Sequence, residues 1–365
     1  MANNRFPLFR LPFLALCEIL NFYGPQDIIQ LSLCSKRSLR VAKKFWKKKE
    51  KITAELSVRK VRIVKLFFQN HFSFKKQFFY RFAIVDAKNY HYQQMHNVRV
   101  GDALVPSVQM NEELTVTFWQ DKIHGIGQLV SYIKDLFDVP TVPTSITLES
   151  EDYENEFIDT MDCLMKIQEP VQDCILQNEG PITDECLTHL LDSCKITGDL
   201  KIYGELSTQF SHNWNIHLDG LYISESSCIT LQNLMNINCK HLQLRNSNLT
   251  SEDINQFLKH WQNGGNSRIE YASIEMKSIN HPIIKSGIDI VPQPGKLFRF
   301  YSFMSNKVEL KRGGLKIQRN DGTTGGCFLN KYSFEFGVDP FEFEVDPFDF
   351  RLDPFEFGVD HYAVY

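Results

Sequence analysis

Gly125-Ile-Gly127 and Gly313-Gly314 are glycine clusters of the kind that backbone chemistry with a phosphate would need. Neither is followed by a third Gly or by the Lys-Ser/Thr pair that cradles phosphate, so no nucleotide loop is expected. His189, His212, His217 and His241 fall at no metal-ligand spacing, and no Gly-x-Ser-x-Gly elbow occurs. Glu149, Glu151 and Asp152 read as a solvated turn rather than an acid–base pair. Nine Cys, at 17, 34, 163, 174, 186, 194, 228, 239 and 327, include no Cys-x-x-Cys pair and no His at a zinc-finger interval. No catalytic residue, metal site or cofactor is therefore expected, and the chain is not expected to be an enzyme. Its chemistry is expected to be recognition.

The elements that would present such surfaces must be carried by 365 residues, 43% of them hydrophobic, enough for two domains with a sizeable core. No apolar run reaches the ~18–20 residues of a membrane helix. Arg5 and Arg10 precede only a short apolar run that Glu18 interrupts, which argues against a signal peptide. An odd number of thiols without a secretion signal points to reduced cysteines in the cytoplasm and/or nucleus. The formal net charge of −4 is uneven. Residues 36–51 hold nine Lys/Arg against one Glu, and residues 338–365 hold eight Asp/Glu against one Arg. The basic run reads as a solvated helix face, because Leu39, Ala42, Phe45 and Trp46 give the same segment an apolar side. A nucleic-acid interface over the basic 36–65 segment is the alternative, and the Phe/Lys-rich stretch 63–82 is expected to supply strand and core residues.

Residues 6–46 read as three short helices. Pro12 suits a first turn, and Leu16, Ile19 and Leu20 recur at helical spacing. Gly24 stops that helix, Pro25 opens the next and Asp27 favours its first turn; Ser35 caps a third carrying Leu39, Ala42, Phe45 and Trp46. Such a stretch cannot bury all its apolar surface alone. The Leu11-Pro12 opening, Pro-x-Asp-Ile at 25–28 and Leu-Ser-Leu-Cys-Ser-Lys-Arg at 31–37 resemble the F-box. The resemblance implies docking on a Skp-type adaptor, and through it on a cullin–RING ubiquitin ligase, by Leu11, Pro12, Leu16, Ile19, Ile28, Leu31 and Leu39 or a subset of them.

From 145 onward strands alternate with helices. Apolar residues lie two apart in Ile146/Leu148, Leu200/Ile202, Leu221/Ile223, Leu242/Leu244 and Ile274/Met276. The starts at 200, 221 and 242 are 21 residues apart, and the next follows at 274. A stacked, irregular leucine-rich-repeat-like βα region is expected, since one such unit cannot bury its own face; a compact α/β domain is the alternative. Thr250 or Ser251 caps a helix with Ile254, Phe257, Leu258 and Trp261 on one stripe, and Gly264 stops it. Asn248-Leu-Thr-x-x-Asp-Ile-Asn-x-Phe-Leu-Lys-x-Trp261, read with the strands before it, resembles the type-2 F-box-associated domain of nematode F-box proteins. That resemblance implies recruitment of a protein substrate. Glu225, Ser226, Arg245 and Asn246, polar residues bracketing the strands, are the candidate contacts, because binding residues sit on loops held by a rigid scaffold. Asp321-Gly322 is expected to turn a late β-hairpin.

The last 35 residues repeat every seven: Val338-Asp-Pro-Phe-Glu-Phe-Glu, Val345-Asp-Pro-Phe-Asp-Phe-Arg, Leu352-Asp-Pro-Phe-Glu-Phe-Gly and a decayed fourth copy, with Lys331–Gly337 a partial earlier one. A Pro in every clear unit forbids a continuous helix, and the acidic charge favours a disordered tail. The expected class is α+β: a three-helix F-box at 1–50, an α/β connecting region at 51–144, the F-box-associated domain at 145–330 and a low-complexity tail at 331–365. The expected function is a substrate-recruiting adaptor of a Skp–cullin–F-box type ligase, with a ligase-independent F-box scaffold as the other alternative; neither a membrane nor nucleic acid is expected as a partner.

Overall fold

The computed structural model describes residues 8–46, 51–59, 61–69, 77–89, 95–139, 145–149, 154–167, 170–294, 296–302 and 307–338. The chain divides into two compact units, 1–173 and 174–365.

The first unit opens with α1 (Phe13–Asn21), α2 (Pro25–Leu33) and α3 (Lys36–Phe45). Their ends are the ones local chemistry sets. Pro12 is the N-cap of α1, and Pro25 occupies the first turn of α2, where a missing N–H costs nothing. The Gly24 N–H donates to Asp27 Oδ2 at 3.0 Å, and Ser35 Oγ accepts from the Ser38 N–H at 3.1 Å. Leu16, Leu20, Ile28, Ile29, Leu33, Leu39 and Ala42 are buried.

A sheet follows, built from β1 (Lys51–Val58), β2 (Arg62–Gln69), β3 (Gln77–Asp86), β4 (His96–Val100), β5 (Ala103–Asn111) and β6 (Leu114–Trp119). After it come α4 (Lys122–Phe137), β7 (Ser145–Glu149) and α5 (Glu154–Ile167). The strand order is β7-β1-β2-β3-β6-β5-β4, with β1–β7 and β3–β6 parallel and the other pairs antiparallel. Alternation puts Ile52, Ala54, Leu56, Val64 and Leu66 in the core. Phe79, Tyr80 and Phe82 are buried as well, so the described part of the Phe-rich stretch supplies core; residues 70–76 of it lie outside the described residues. Gly125 and Gly127 are packing positions inside α4. A Cβ on Gly125 would stand 2.7 Å from the Trp119 ring, and one on Gly127 would stand 2.9 Å from Cys163 Sγ of α5.

The pairing of β7 with β1 corrects the expected boundary at 145: residues 145–167 complete the first unit. Their apolar pattern is read correctly, with Ile146, Leu148, Phe157, Met161 and Leu164 buried, but the partner strand lies about 90 residues earlier, where no local signal announces it.

The second unit carries β8 (Asp173–Ile182), α6 (Asp184–Ser193), β9 (Asp199–Leu206), β10 (Gly220–Ile223), α7 (Leu231–Asn236), β11 (His241–Leu244), α8 (Ser251–Gln262), β12 (Tyr271–Glu275) and α9 (His281–Lys285). Strands β8 to β12 lie side by side in chain order, all parallel. Leu200, Leu221, Leu242 and Ala272 form one cross-strand row, so the fourth strand's matching position is 272 rather than the expected 274; Ile274 aligns with Leu244 instead. Both apolar rows are 1% exposed or less. In α8, Thr250 and Asp253 cap each other reciprocally, and Ile254, Phe257, Leu258 and Trp261 are fully buried.

The remaining strands are β13 (Ile290–Pro292), β14 (Leu297–Ser302), β15 (Lys307–Arg312), β16 (Leu315–Gln318), β17 (Thr324–Leu329) and β18 (Ser333–Val338). β14 and β15 form a separate hairpin, and Gly322, at φ 94°, turns the expected hairpin between β16 and β17. β18 lies between β12 and β17, antiparallel to both. Phe334 and Phe336 are fully buried; Phe336 meets Trp261 at a ring-centroid distance of 4.9 Å, and both rings contact Phe257. The expected tail boundary at 331 is therefore corrected. Phe-Glu-Phe alternates with the strand period, and β12 and β17 pair with it on both sides. The heptapeptide copies from 339 onward lie outside the described residues.

Candidate functional site

Two surfaces gather the candidate residues. The first is the outer side of the N-terminal helices. Their inner side is committed: Ser32 Oγ and Tyr132 Oη of α4 are hydrogen-bonded, Gln30 Nε2 donates to the Glu112 carbonyl at 3.1 Å, and Trp46 meets Phe137 edge-on at 4.8 Å. Burial lifts the Tyr132 hydroxyl far above its ordinary range, so it stays protonated. Among the sequence candidates, Leu16, Ile28 and Leu39 lie on this inner side with 9%, 2% and 9% exposure. They are buried within the described chain, so of the expected adaptor contacts they offer the least free surface. Leu11, Ile19 and Leu31 are half-buried and Pro12 is exposed.

The outer side shows what the periodicity missed. Phe13, Leu14 and Phe22 are 59%, 78% and 86% exposed. Phe13 and Leu14 in the first turn of α1 and Phe22 at its C-cap are large apolar side chains left in water at the two ends of one helix, the kind of exposure that marks an interaction surface. Their signal is present in the sequence, since they are apolar positions off the buried Leu16/Leu20 stripe. Four cations of the basic run have partners on the described residues; Lys47, Lys48 and Lys49 lie outside them. Lys44 lies over the Phe13 ring at 5.2 Å and Arg37 over Phe9 at 5.2 Å, while Lys36 pairs with Asp102 and Lys43 with Asp135.

The second surface lies at the carboxyl ends of β10 and β11, the end of a parallel sheet where ligands gather in open α/β folds. Asn246, left-handed at φ 49°, donates from Nδ2 to Glu225 Oε1 at 2.8 Å. Glu225, Arg245 and Asn246 thus come together. Ser226 does not join them: it is fully buried, and both its N–H and its Oγ donate to the Arg245 carbonyl, at 2.9 and 2.7 Å. It fixes the loop, and its expected contact role is corrected. Tyr203 and Tyr222 complete the cluster, with ring centroids 4.9 Å apart. Burial raises both hydroxyl pKa values; at Tyr222 the Arg245 charge opposes that shift and Glu275 and Glu225 add to it. Strand alternation could have found the pair, since Tyr222 stands between the inward Leu221 and Ile223.

Of the scattered histidines, His212 is tied into the fold. His212 Nε2 bonds Asp192 at 2.8 Å, and its Nδ1 accepts from the Trp214 N–H at 3.0 Å. Among the described residues no group of three or more His, Cys, Asp or Glu is placed to hold a metal ion. All nine cysteines are free thiols, and Cys239, fully enclosed, has its pKa pushed up to about 12 by burial. No described helix is long and apolar enough to cross a membrane.

Helices with exposed apolar residues at the N-terminus and an α/β unit with a polar cluster at its strand ends are the two candidate surfaces. Comparison with known proteins finds two domains in the order the sequence implies: residues 8–50 match the F-box domain and residues 209–274 match the F-box associated domain. It is similar to the Skn-1 dependent zygotic transcript 15 protein of Caenorhabditis elegans, 24% identical over 214 residues, 56% of this chain and 60% of that protein. It is also similar to an uncharacterized protein of the same nematode, 22% identical over 338 residues, 88% of this chain and 73% of that one. The match thus spans about three fifths of the first relative's length. No solved structure matches the chain.

Proposed function

We propose that this chain is the substrate-recruiting adaptor of a Skp–cullin–F-box type ubiquitin ligase, acting in the cytoplasm and/or nucleus. The observation that carries the reading is the exposed Phe13, Leu14 and Phe22 patch on F-box helices whose other apolar sides are already spent on the first unit. A Skp-type adaptor with a complementary apolar groove covers it, and Leu11, Pro12, Ile19 and Leu31 border the contact. Ubiquitin transfer then belongs to the partner proteins. This chain contributes proximity, raising the effective concentration of its substrate at the ligase.

The parallel ladder of the second unit serves this role as a leucine-rich-repeat-like scaffold. It holds Tyr203, Glu225, Arg245 and Asn246 for a protein substrate, with the buried Tyr222 packed against Tyr203. Replacing Arg245 by Glu reverses the charge of an exposed residue and leaves the aliphatic rows untouched. The Arg245→Glu chain is expected to bind the adaptor as before and to change the set of proteins that become ubiquitinated, read by mass spectrometry of ubiquitin-modified peptides. An unchanged set places recognition elsewhere. The reading as an adaptor is tested by adaptor binding itself and by its loss when the outer patch is made polar.

A further inference from the structure

The strand β18 is repeated further along the chain. Phe334-Glu-Phe-Gly-Val-Asp339 recurs without change as Phe355-Glu-Phe-Gly-Val-Asp360. We propose that the position between β12 and β17 is a strand-binding site with two occupants in the same chain, β18 and the C-terminal copy Phe355–Asp360.

The site states what an occupant must supply. Two Phe two residues apart fill it from one face: Phe334 and Phe336 stack with centroids 6.4 Å apart against Phe257 and Trp261. Gly325 of β17 makes room for them, since a Cβ there would stand 2.8 Å from the Phe336 ring. On the other face an acid is required. Glu335 pairs with Lys311 and accepts from Tyr271 Oη at 3.4 Å. The next position cannot carry a charge, because Gly337 is buried directly opposite the buried Tyr271, where a charged side chain would lose its water. Val338 completes the ladder with Gly325.

This requirement discriminates among the copies. Phe341-Glu-Phe-Glu344 and Phe348-Asp-Phe-Arg351 keep Phe-acid-Phe but bring a long charged side chain opposite Tyr271. Phe355-Glu-Phe-Gly-Val359 brings Gly, and Val after it. Its one change at the strand start is Pro354 for Ser333, at the first residue of a strand, where Pro is tolerated.

Magnitude decides which occupant dominates. Seating the C-terminal copy lengthens the connection after β17 from Asn330–Tyr332 to Asn330–Asp353, three doublings. Each doubling disfavours closure roughly threefold, about twenty-fold in all. The native chain therefore holds β18 in most molecules. A lesion confined to β18 that costs more than this factor hands the site to the copy.

The test is the melting of four full-length or shortened chains. Phe334→Ala/Phe336→Ala is made in the full chain and in a chain ending at Val338. The full-length variant is expected to melt cooperatively with a far smaller loss than the shortened one. Adding Phe355→Ala/Phe357→Ala to the full-length variant is expected to abolish that advantage. The native chain ending at Val338 controls for any direct effect of the tail. If the shortened variant does not fold at all, a folded full-length variant supports the proposal and an unfolded one overturns it. Equal losses in the two backgrounds, or an advantage that survives the Phe355/Phe357 changes, overturn it. So does an advantage that grows with protein concentration, since the strand then comes from a second copy.

Discussion

A chain ending at Leu329 is expected to lose cooperative folding of the second unit, whereas one ending at Val338 is expected to melt at the temperature of the full chain. The nine residues between these ends include β18, which pairs with β12 on one side and β17 on the other. Removing it leaves two strand edges unpaired and opens the cavity of Phe334 and Phe336, both fully buried. Truncating one buried Phe side chain costs roughly 3–5 kcal/mol, and two such losses approach the ~5–15 kcal/mol total stability of a typical domain. The chain ending at Val338 keeps the whole of β18 and with it this core. Circular dichroism melting of the two shortened chains reads the difference. A cooperative transition near the native temperature in the chain ending at Leu329 would show that β18 is dispensable.

Trp261→Ala is expected to destabilise the second unit by roughly 3–5 kcal/mol, the usual cost of emptying a buried Trp site. For a unit of this size that is a fall of about 10 °C in melting temperature. Trp261 is fully enclosed, meets Phe336 edge-on and carries Arg319 over its ring at 5.4 Å. Its indole N–H has no hydrogen-bond partner among the described residues, so the loss is one of packing. Denaturant titration measures it. An unchanged midpoint together with altered substrate recruitment would instead place Trp261 at a recognition surface.

What was legible in the sequence is what local chemistry determines. The N-terminal helices announce themselves through Pro12, the Gly24–Asp27 pair and the Ser35 cap, each acting within four residues. The parallel ladder shows in aliphatics two apart at a 21-residue interval, and the α8 stripe in Ile254, Phe257, Leu258 and Trp261. The misreadings all involve partners distant in the chain. Periodicity marks Leu16, Ile28 and Leu39 as apolar helix positions but cannot say whether their own chain or another protein covers them. Residues 145–149 read as the start of a new domain because their neighbour β1 lies far upstream. Phe334-Glu-Phe336 was absorbed into an acidic repeat because the strands that bury it are β12 and β17. Ser226 looked like an exposed loop polar group, yet its hydrogen bonds reach the carbonyl of Arg245, one repeat away.

The measurement that bears most directly on the adaptor reading is calorimetric titration of a Skp-type adaptor into the full chain and into its Leu14→Asp/Phe22→Asp variant. Both side chains lie in water, so the variant is expected to keep the native melting curve. Binding-site anchors cost about 2 kcal/mol or more each when removed, roughly thirtyfold in affinity. The account predicts saturable binding by the native chain and no measurable binding by the variant. A native chain that does not bind the adaptor, or a folded variant that binds it as tightly as the native chain, would contradict it.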